Sequence, residues 1–297
     1  MPTARTDTKV ELQEILVATD FSSTSGKALH YAVAIATRYN SKIHLVHVIE
    51  PTTVEFLAPE VTSQAYQQLH DSAEEQLKEQ ARELTELRHQ IYLTNGAAYE
   101  VVEAMVRENR VDLVVVGTHG TKGLEKVLLG SKAEEIFRRV TCPVLTVGPN
   151  AREIDSTTGL NWILFPTDLM SDESGALAHA TSLAKRHNAH LVLLHVMAGV
   201  QAPLPDEAEY FEKPYVERLR HLIPGDVELP YPADCRVGYG RATQDTILQV
   251  AHEITADLIV LSVRPEEAWA TRLLDKAYGI VSRSLCPVLT VREKESA

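Results

Sequence analysis

ILVATDFSSTSGKALHYAVAIATRYNSKIHLVHVIEP, from Ile15 to Pro51, and ILFPTDLMSDESGALAHATSLAKRHNAHLVLLHVMAG, from Ile163 to Gly199, align without a gap. In that alignment Asp20 falls on Asp168 and His47 on His195. Two further pairs follow in the same order. VDLVVVGTHG from Val111 matches ADLIVLSVRP from Ala256, and RRVTCPVLTVGP from Arg138 matches SRSLCPVLTVRE from Ser282. Ordered matches at three places mean an internal duplication. The 297 residues therefore divide into two domains, 1–150 and 151–297, a size typical of single cores. The polar stretch PNAREIDSTTG, Pro149 to Gly159, links them.

Within the first copy, Ile15 to Ala18 is an apolar run, and Ala28, Leu29, Ala32, Val33, Ile35 and Ala36 follow at helical spacing. Ser22 to Thr24 supply caps for that helix. IHLVHVI predicts a second strand, and Ala65, Leu69, Ala73, Leu77, Leu84 and Leu87 stripe one long helix running to Arg88. HQIYLT, DLVVVG and PVLTV predict three more strands, with helices over Ala98 to Asn109 and Ser131 to Arg138 between them. Strands such as VVV are apolar without alternation, as expected of a parallel sheet covered on both faces. The expected fold class is α/β: two tandem doubly wound parallel five-stranded sheets with helices on both faces. Pro203, Pro205, Pro214 and Pro224 in the second copy are expected to interrupt the helix between its second and third strands.

Lys plus Arg number 29 against 41 Asp plus Glu, a formal charge of −12. That surface repels phosphate backbones and anionic lipid, so neither nucleic acid nor membrane is the expected partner. The opening MPTARTDTKVELQ has no apolar leader, and no stretch nears the roughly 20 apolar residues that span a bilayer. A cytoplasmic protein is the expectation. Cys142, Cys235 and Cys286 form no CxxC pair, so neither a disulfide framework nor a zinc knuckle is expected. Cys142 and Cys286 begin the two CPVLTV segments and are read as small core thiols.

The feature that carries chemistry is GTHGTKGLEKVLLGS: Gly117, two residues, Gly120, nine residues, Gly130, then Ser131. It begins where an apolar strand ends, the place at which an open parallel sheet holds its ligand. Glycine there permits a tight turn and lets phosphate approach main-chain N–H groups. Gly130 and Ser131 open a helix whose first amides and positive end suit an anion. Ser131 can cap that helix, donate to phosphate, or both. Lys122, Lys126 and Lys132 lie nearby, as counter-charges or as solvated side chains. The pattern is neither a Walker A loop nor GxGxxG.

These residues resemble the universal stress protein family, in its ATP-binding branch, whose G-x2-G-x9-G-[ST] motif is met by Gly117, Gly120, Gly130 and Ser131. LVATDFS and LVHVI add to the resemblance, which covers nearly the whole chain as two tandem family domains. It implies a fold like the adenine nucleotide alpha hydrolases. It also implies that adenine touches Ala18, Thr19, Asp20 and the backbone of Val48. Phosphates would lie over Gly117, Gly120, Gly130, Ser131 and the Lys132 amide, with Val116 on the ribose side. The cofactor so implied is ATP, or AMP or ADP, with Mg or Mn beside the phosphates and Asp20 as its protein ligand. The residue reading leaves Asp20 two roles: ligand to a sugar hydroxyl, amide or metal, or cap of the next helix. Pairing of fifth strands in the family implies an intrachain pseudo-dimer, and a further homodimer of tandem chains remains open.

In the second copy Ser262 stands at Gly117, Pro265 at Gly120, Leu274 at Gly130 and Asp275 at Ser131. Side chains on those turns, and a carboxylate in place of a hydroxyl, oppose phosphate. Asp168 persists there and reads as a structural cap, while Trp269, Arg272 and Tyr278 either pack or line another surface. His119 inside the loop reads as polar filler or as a proton-transfer group facing the phosphates, and Asp20 lacks a second carboxylate for a two-metal centre, so at most a slow ATPase is expected. His47 and His195 are read as architectural, and His187 and His190 make no zinc spacing. The expected function is a nucleotide-responsive stress or regulatory protein acting on an unknown protein partner. A scaffold without obligatory nucleotide, a weak Mg-dependent ATPase, and recognition of AMP or a cyclic nucleotide are the alternatives.

Overall fold

The computed structural model describes residues 10–50, 59–118, 131–155, 159–170, 174–263 and 277–293, with the backbone alone at 59–63, 131 and 132. The chain forms two compact units: residues 12–159, and residues 160–297 together with those before Leu12.

In the first unit the strands are β1 (Glu14–Ala18), β2 (Lys42–Ile49), β3 (Arg88–Asn95), β4 (Leu113–Gly117) and β5 (Val144–Val147). They pair in parallel in the order β3-β2-β1-β4-β5. Ile15, Leu16 and Val17 of the central strand are wholly buried, as are Val114 and Val115 beside them. Burial on both faces explains why these runs do not alternate. Burying each Val or Leu in this way contributes about 1.5–3 kcal/mol before entropy is counted. The chain leaves β1 toward β2 on one side and returns to β4 on the other, so the switch point lies between β1 and β4.

Helix α1 (Ser23–Tyr39) starts at Ser22, whose hydroxyl accepts from the Ser25 N–H at 3.2 Å. It buries the anticipated Ala28, Leu29, Ala32, Ile35 and Ala36, and stops at Asn40 in the left-handed region. Helix α2 spans Pro59–Ala81 and gives way to a 3-10 turn at Arg82–Leu84. The long helix read from the sequence thus ends early. Its stripe runs on because Leu84 is buried by a turn whose period of three also places an apolar residue inward. Leu69 is exposed, so the stripe begins to bury only at Ala73. Helices α3 (Ala98–Asn109) and α4 (Ser131–Arg139) complete the unit.

The second unit repeats the order with β6 (Trp162–Thr167), α5 (Ser174–His187), β7 (His190–Ala198), α6 (Pro205–Leu222), β8 (Asp234–Gly240), α7 (Thr243–Glu253), β9 (Leu258–Val263) and β10 (Val288–Arg292). Its strands pair as β10-β9-β6-β7-β8, again in parallel. Contrary to the sequence reading, α6 forms despite its prolines. Pro205 takes the first helical turn, where the missing N–H costs nothing, and Pro214 is accommodated inside the helix. Cys286 is buried and Cys142 only partly so.

Two aspartates at equivalent places fasten the entrances of both sheets. The Asp112 carboxylate accepts from the Gln13 and Glu14 N–H groups at 2.7 and 3.0 Å, and Asp257 accepts from Asn161 and Trp162 at 2.8 and 3.0 Å. Among the described residues, no helix is long and apolar enough to cross a membrane.

Candidate functional site

The switch point brings several predicted residues to one edge of the first unit. Ala18 is in register with Val46 of β2 and with Val116 of β4. Thr19 follows, its N–H donating to the Val46 carbonyl at 2.9 Å. Val48 lies two residues further along β2, half-buried, opposite Thr94. Val116 is 3% exposed, so its side chain belongs to the core and its main chain is what borders the crevice. Gly117 ends β4 beside it.

Gly117 has a packing role that the spacing did not disclose. A Cβ there would stand 2.5 Å from the Ser25 nitrogen and 2.6 Å from the Thr24 carbonyl carbon. The first turn of α1 therefore rests on the bare main chain at the end of β4. A cluster of hydroxyls joins the same turn to the residue that follows β1. Thr19 Oγ1 donates to Ser25 Oγ at 3.2 Å, Ser25 Oγ to the Ser22 carbonyl at 2.8 Å, and Ser22 and Thr24 hydroxyls meet at 3.0 Å.

Asp20 is exposed, and its Oδ1 accepts from the Ser22 N–H at 3.0 Å. It shapes the entry to α1, while the helix cap proper is Ser22. Asp168 does the same in the second unit, accepting from the Met170 N–H at 2.8 Å. The turn is strained in both copies: Phe21 has φ 63 and Leu169 φ 60. Each places its N–H on the hydroxyl of the preceding threonine, Phe21 on Thr19 at 3.1 Å and Leu169 on Thr167 at 3.0 Å.

His47 donates from Nδ1 to the Thr19 carbonyl at 2.8 Å, and His195 to that of Thr167 at 3.0 Å. A carbonyl only accepts, so Nδ1 carries the proton in both rings. The same bond in both units makes these histidines braces between adjacent strands. Phe21 stacks on His47, ring centroids 4.2 Å apart, and so forms part of the crevice mouth. Nothing in the residue spacing singled out Phe21; a bulky residue between Asp and Ser before a helix was the available signal.

Helix α4 begins at Ser131, and its leading N–H groups have no partner within the helix. That end carries the positive pole of the helix. Lys27 is turned away to the Ala151 carbonyl at 2.7 Å, Arg138 pairs with Glu134 at 2.7 Å, and Arg139 lies 4.2 Å over the Tyr99 ring. Gly120, Gly130, His119, Lys122 and Lys126 lie outside the described residues, as do Pro265, Trp269, Arg272, Leu274 and Asp275 in the second unit. Of Ser131 and Lys132 only the backbone is described.

The described groups are of kinds that can receive a polar ring and an anion. The strand ends offer main-chain groups for a base and sugar, and α4 offers amides to an anion. A divalent ion fits through Asp20 only if phosphate and water supply its other ligands, because one carboxylate cannot fill six oxygen positions. Among the described residues, the one group of three close enough to share an ion is His70, Asp71 and Glu74 on α2. These are largely exposed, and Glu74 already pairs with Lys78. That ion pair lowers the Glu74 carboxyl below its usual range, first through its hydrogen bond to Lys78.

A model of the universal stress protein family matches residues 11–148 and 161–292. A universal stress protein of Methanocaldococcus jannaschii is 30% identical over 145 residues, spanning 48% of this chain and 85% of that protein. The universal stress protein A homolog 1 of Coxiella burnetii is 34% identical over 147 residues, 46% of this chain and 95% of its own length. Each such relative thus corresponds to about half of this chain. Among solved structures, a universal stress protein from Archaeoglobus fulgidus DSM 4304 superimposes with a TM-score of 0.63 at 17% identity. The match covers 96% of this chain and 100% of that one, a likeness of fold alone.

Proposed function

The chain belongs to the universal stress protein family, and from that premise we propose that its first unit binds ATP, or AMP or ADP, as a nucleotide-responsive regulatory protein. The observation that supports this reading is the meeting of Ala18, Thr19, Val116 and Gly117 at the switch point of the sheet, with α4 opening at Ser131. The spacing Gly117, Gly120, Gly130, Ser131 runs between them. Base and ribose occupy the ends of β1 and β2, near Asp20 and the backbone of Val48. Phosphates lie against the main chain of Gly117, Gly120 and Gly130 and the amides of Ser131 and Lys132. Asp20 would hold Mg or Mn beside the phosphates, where the ion would offset their charge. Occupancy fixes the segment from Gly117 to Ser131 and thereby changes the surface offered to a partner.

No described group at this edge pairs a base with a nucleophile, so the reading is one of binding rather than turnover. His47, the imidazole nearest by sequence to the base position, already uses its Nδ1 proton on Thr19. A second reading, a scaffold for another protein, draws on the exposed Met170, Leu204, Tyr210 and Phe211 of the second unit. It requires no nucleotide.

Mass identification of whatever is released from the purified chain, with an ATP titration of wild type and Gly120→Asp, separates these readings. An adenine nucleotide in the wild type, and at least a tenfold weaker ATP affinity in the variant, are expected. Undiminished affinity in Gly120→Asp rejects the phosphate position, and absence of any saturable binding favours the scaffold.

A further inference from the structure

We propose that Glu293 sets the ligand specificity of the second unit by seating its own carboxylate where α5 would otherwise receive an external anion such as phosphate. Glu293 directly follows β10. Its Oε2 accepts from the Gly175 N–H at 3.0 Å, and its Oε1 from the Ala176 N–H at 2.9 Å and from Ser262 Oγ at 3.1 Å. The two amides lie in the first described turn of α5. A carboxylate at this positive helix end takes the bonds and the field that a phosphate would use.

The cradle is shaped for this group. A Cβ on Gly175 would stand 2.7 Å from Glu293 Oε2, so the glycine admits the carboxylate, and its φ lies outside the left-handed range. The third donor, Ser262, occupies the position of Gly117 in the first copy. Gly175 and Glu293 likewise stand at the positions of Lys27 and Pro149. Of the four residues in the contact, Gly175, Ser262 and Glu293 are replaced in the first copy, and Ala176 is kept as Ala28. In the first unit the end of β4 is closed instead by direct contact of Gly117 with the α1 backbone.

The loss of glycines in the second copy is thus half of the change. The other half is a gained internal ligand, held at high effective concentration because it is part of the same chain. An incoming phosphate must displace it and also meets its negative charge. The inference rests on the nucleotide reading of the first unit only in taking phosphate as the relevant anion.

The test follows the amide signals of Gly175 and Ala176 in the full chain during titration with inorganic phosphate, against potassium chloride at matched ionic strength. In wild type these signals should stay in place. In Glu293→Ala both should move saturably while signals elsewhere remain native. Equal movement in the wild type, or none in a natively folded Glu293→Ala, overturns the proposal. Should that variant fail to fold, Ser262→Ala removes one donor and leaves the charge in place. Hydrogen exchange at Gly175 and Ala176 should then quicken several-fold, and unchanged exchange overturns the proposal. Every readout lies in the second unit, so the outcome is independent of whether the first unit binds nucleotide.

Discussion

Gly117 and Gly26 lie at the same junction and respond oppositely to a methyl group. At Gly117 the added Cβ runs into the backbone of Ser25 and Thr24, which cannot rotate away as a side chain would. Gly117→Ala should cost about 1–3 kcal/mol and weaken ATP binding together with stability. Gly26 is in α1 with nothing within 4 Å of its would-be Cβ, so Gly26→Ala should stabilise by about 0.4–1 kcal/mol. Urea unfolding of the two variants checks both signs. Cys235 offers a separate test. Burial pushes its thiol above the usual range, with Arg220 acting against the shift and Asp234 adding to it. Its share of stability is complete below the ordinary thiol range and is lost as pH rises through the raised folded value. At neutral pH, iodoacetamide should modify Cys235 more slowly than free cysteine, and unfolding in urea should erase the difference.

Strands and helices inherit their positions from pairs of contacts repeated in each copy. Asp112→Ala strands two amides at the start of β1, and Asp257→Ala does the same at β6. Each should destabilise its own unit by about 1–3 kcal/mol. Hydrogen exchange, resolved by unit, should show Asp112→Ala loosening residues 12–159 and Asp257→Ala loosening residues 160–297. Strand identity and helix faces were legible in the sequence because apolar runs and 3.6-residue spacing report burial directly, as for Ile15 to Val17 and Ala28 to Ala36. Other elements were not. The end of α2 was hidden because Leu84 and Leu87 keep the spacing while the chain tightens into a 3-10 turn. Helix α6 was hidden because proline counts against a helix locally, whereas Pro205 sits where it is tolerated. Of the proposed site, the part legible in the sequence is where glycine spacing and strand ends coincide, at Gly117 and Ala18. Phe21, the Gly117 contact with α1 and the Glu293 contact depend on residues distant in sequence or on backbone angles, which no local pattern carries.

The whole molecule is a duplication whose copies keep their braces and diverge at the ends of their fourth strands. His47 and His195, Asp20 and Asp168, Phe21 and Leu169 do the same work in both units. What differs is the end of the fourth strand of each: Gly117 packed bare against the α1 backbone in one, Ser262 bonded to Glu293 in the other. Such a chain should take one nucleotide, and the asymmetry should be visible residue by residue. Hydrogen exchange of the apo chain with and without saturating ATP and Mg measures this most directly. Protection is predicted at Ala18 to Asp20, Val116 to Gly117 and Ser131 to Lys132, with Thr167, Asp168 and Ser262 unchanged. Protection at Thr167, Asp168 and Ser262, or no ATP-dependent protection around Gly117, would contradict the account.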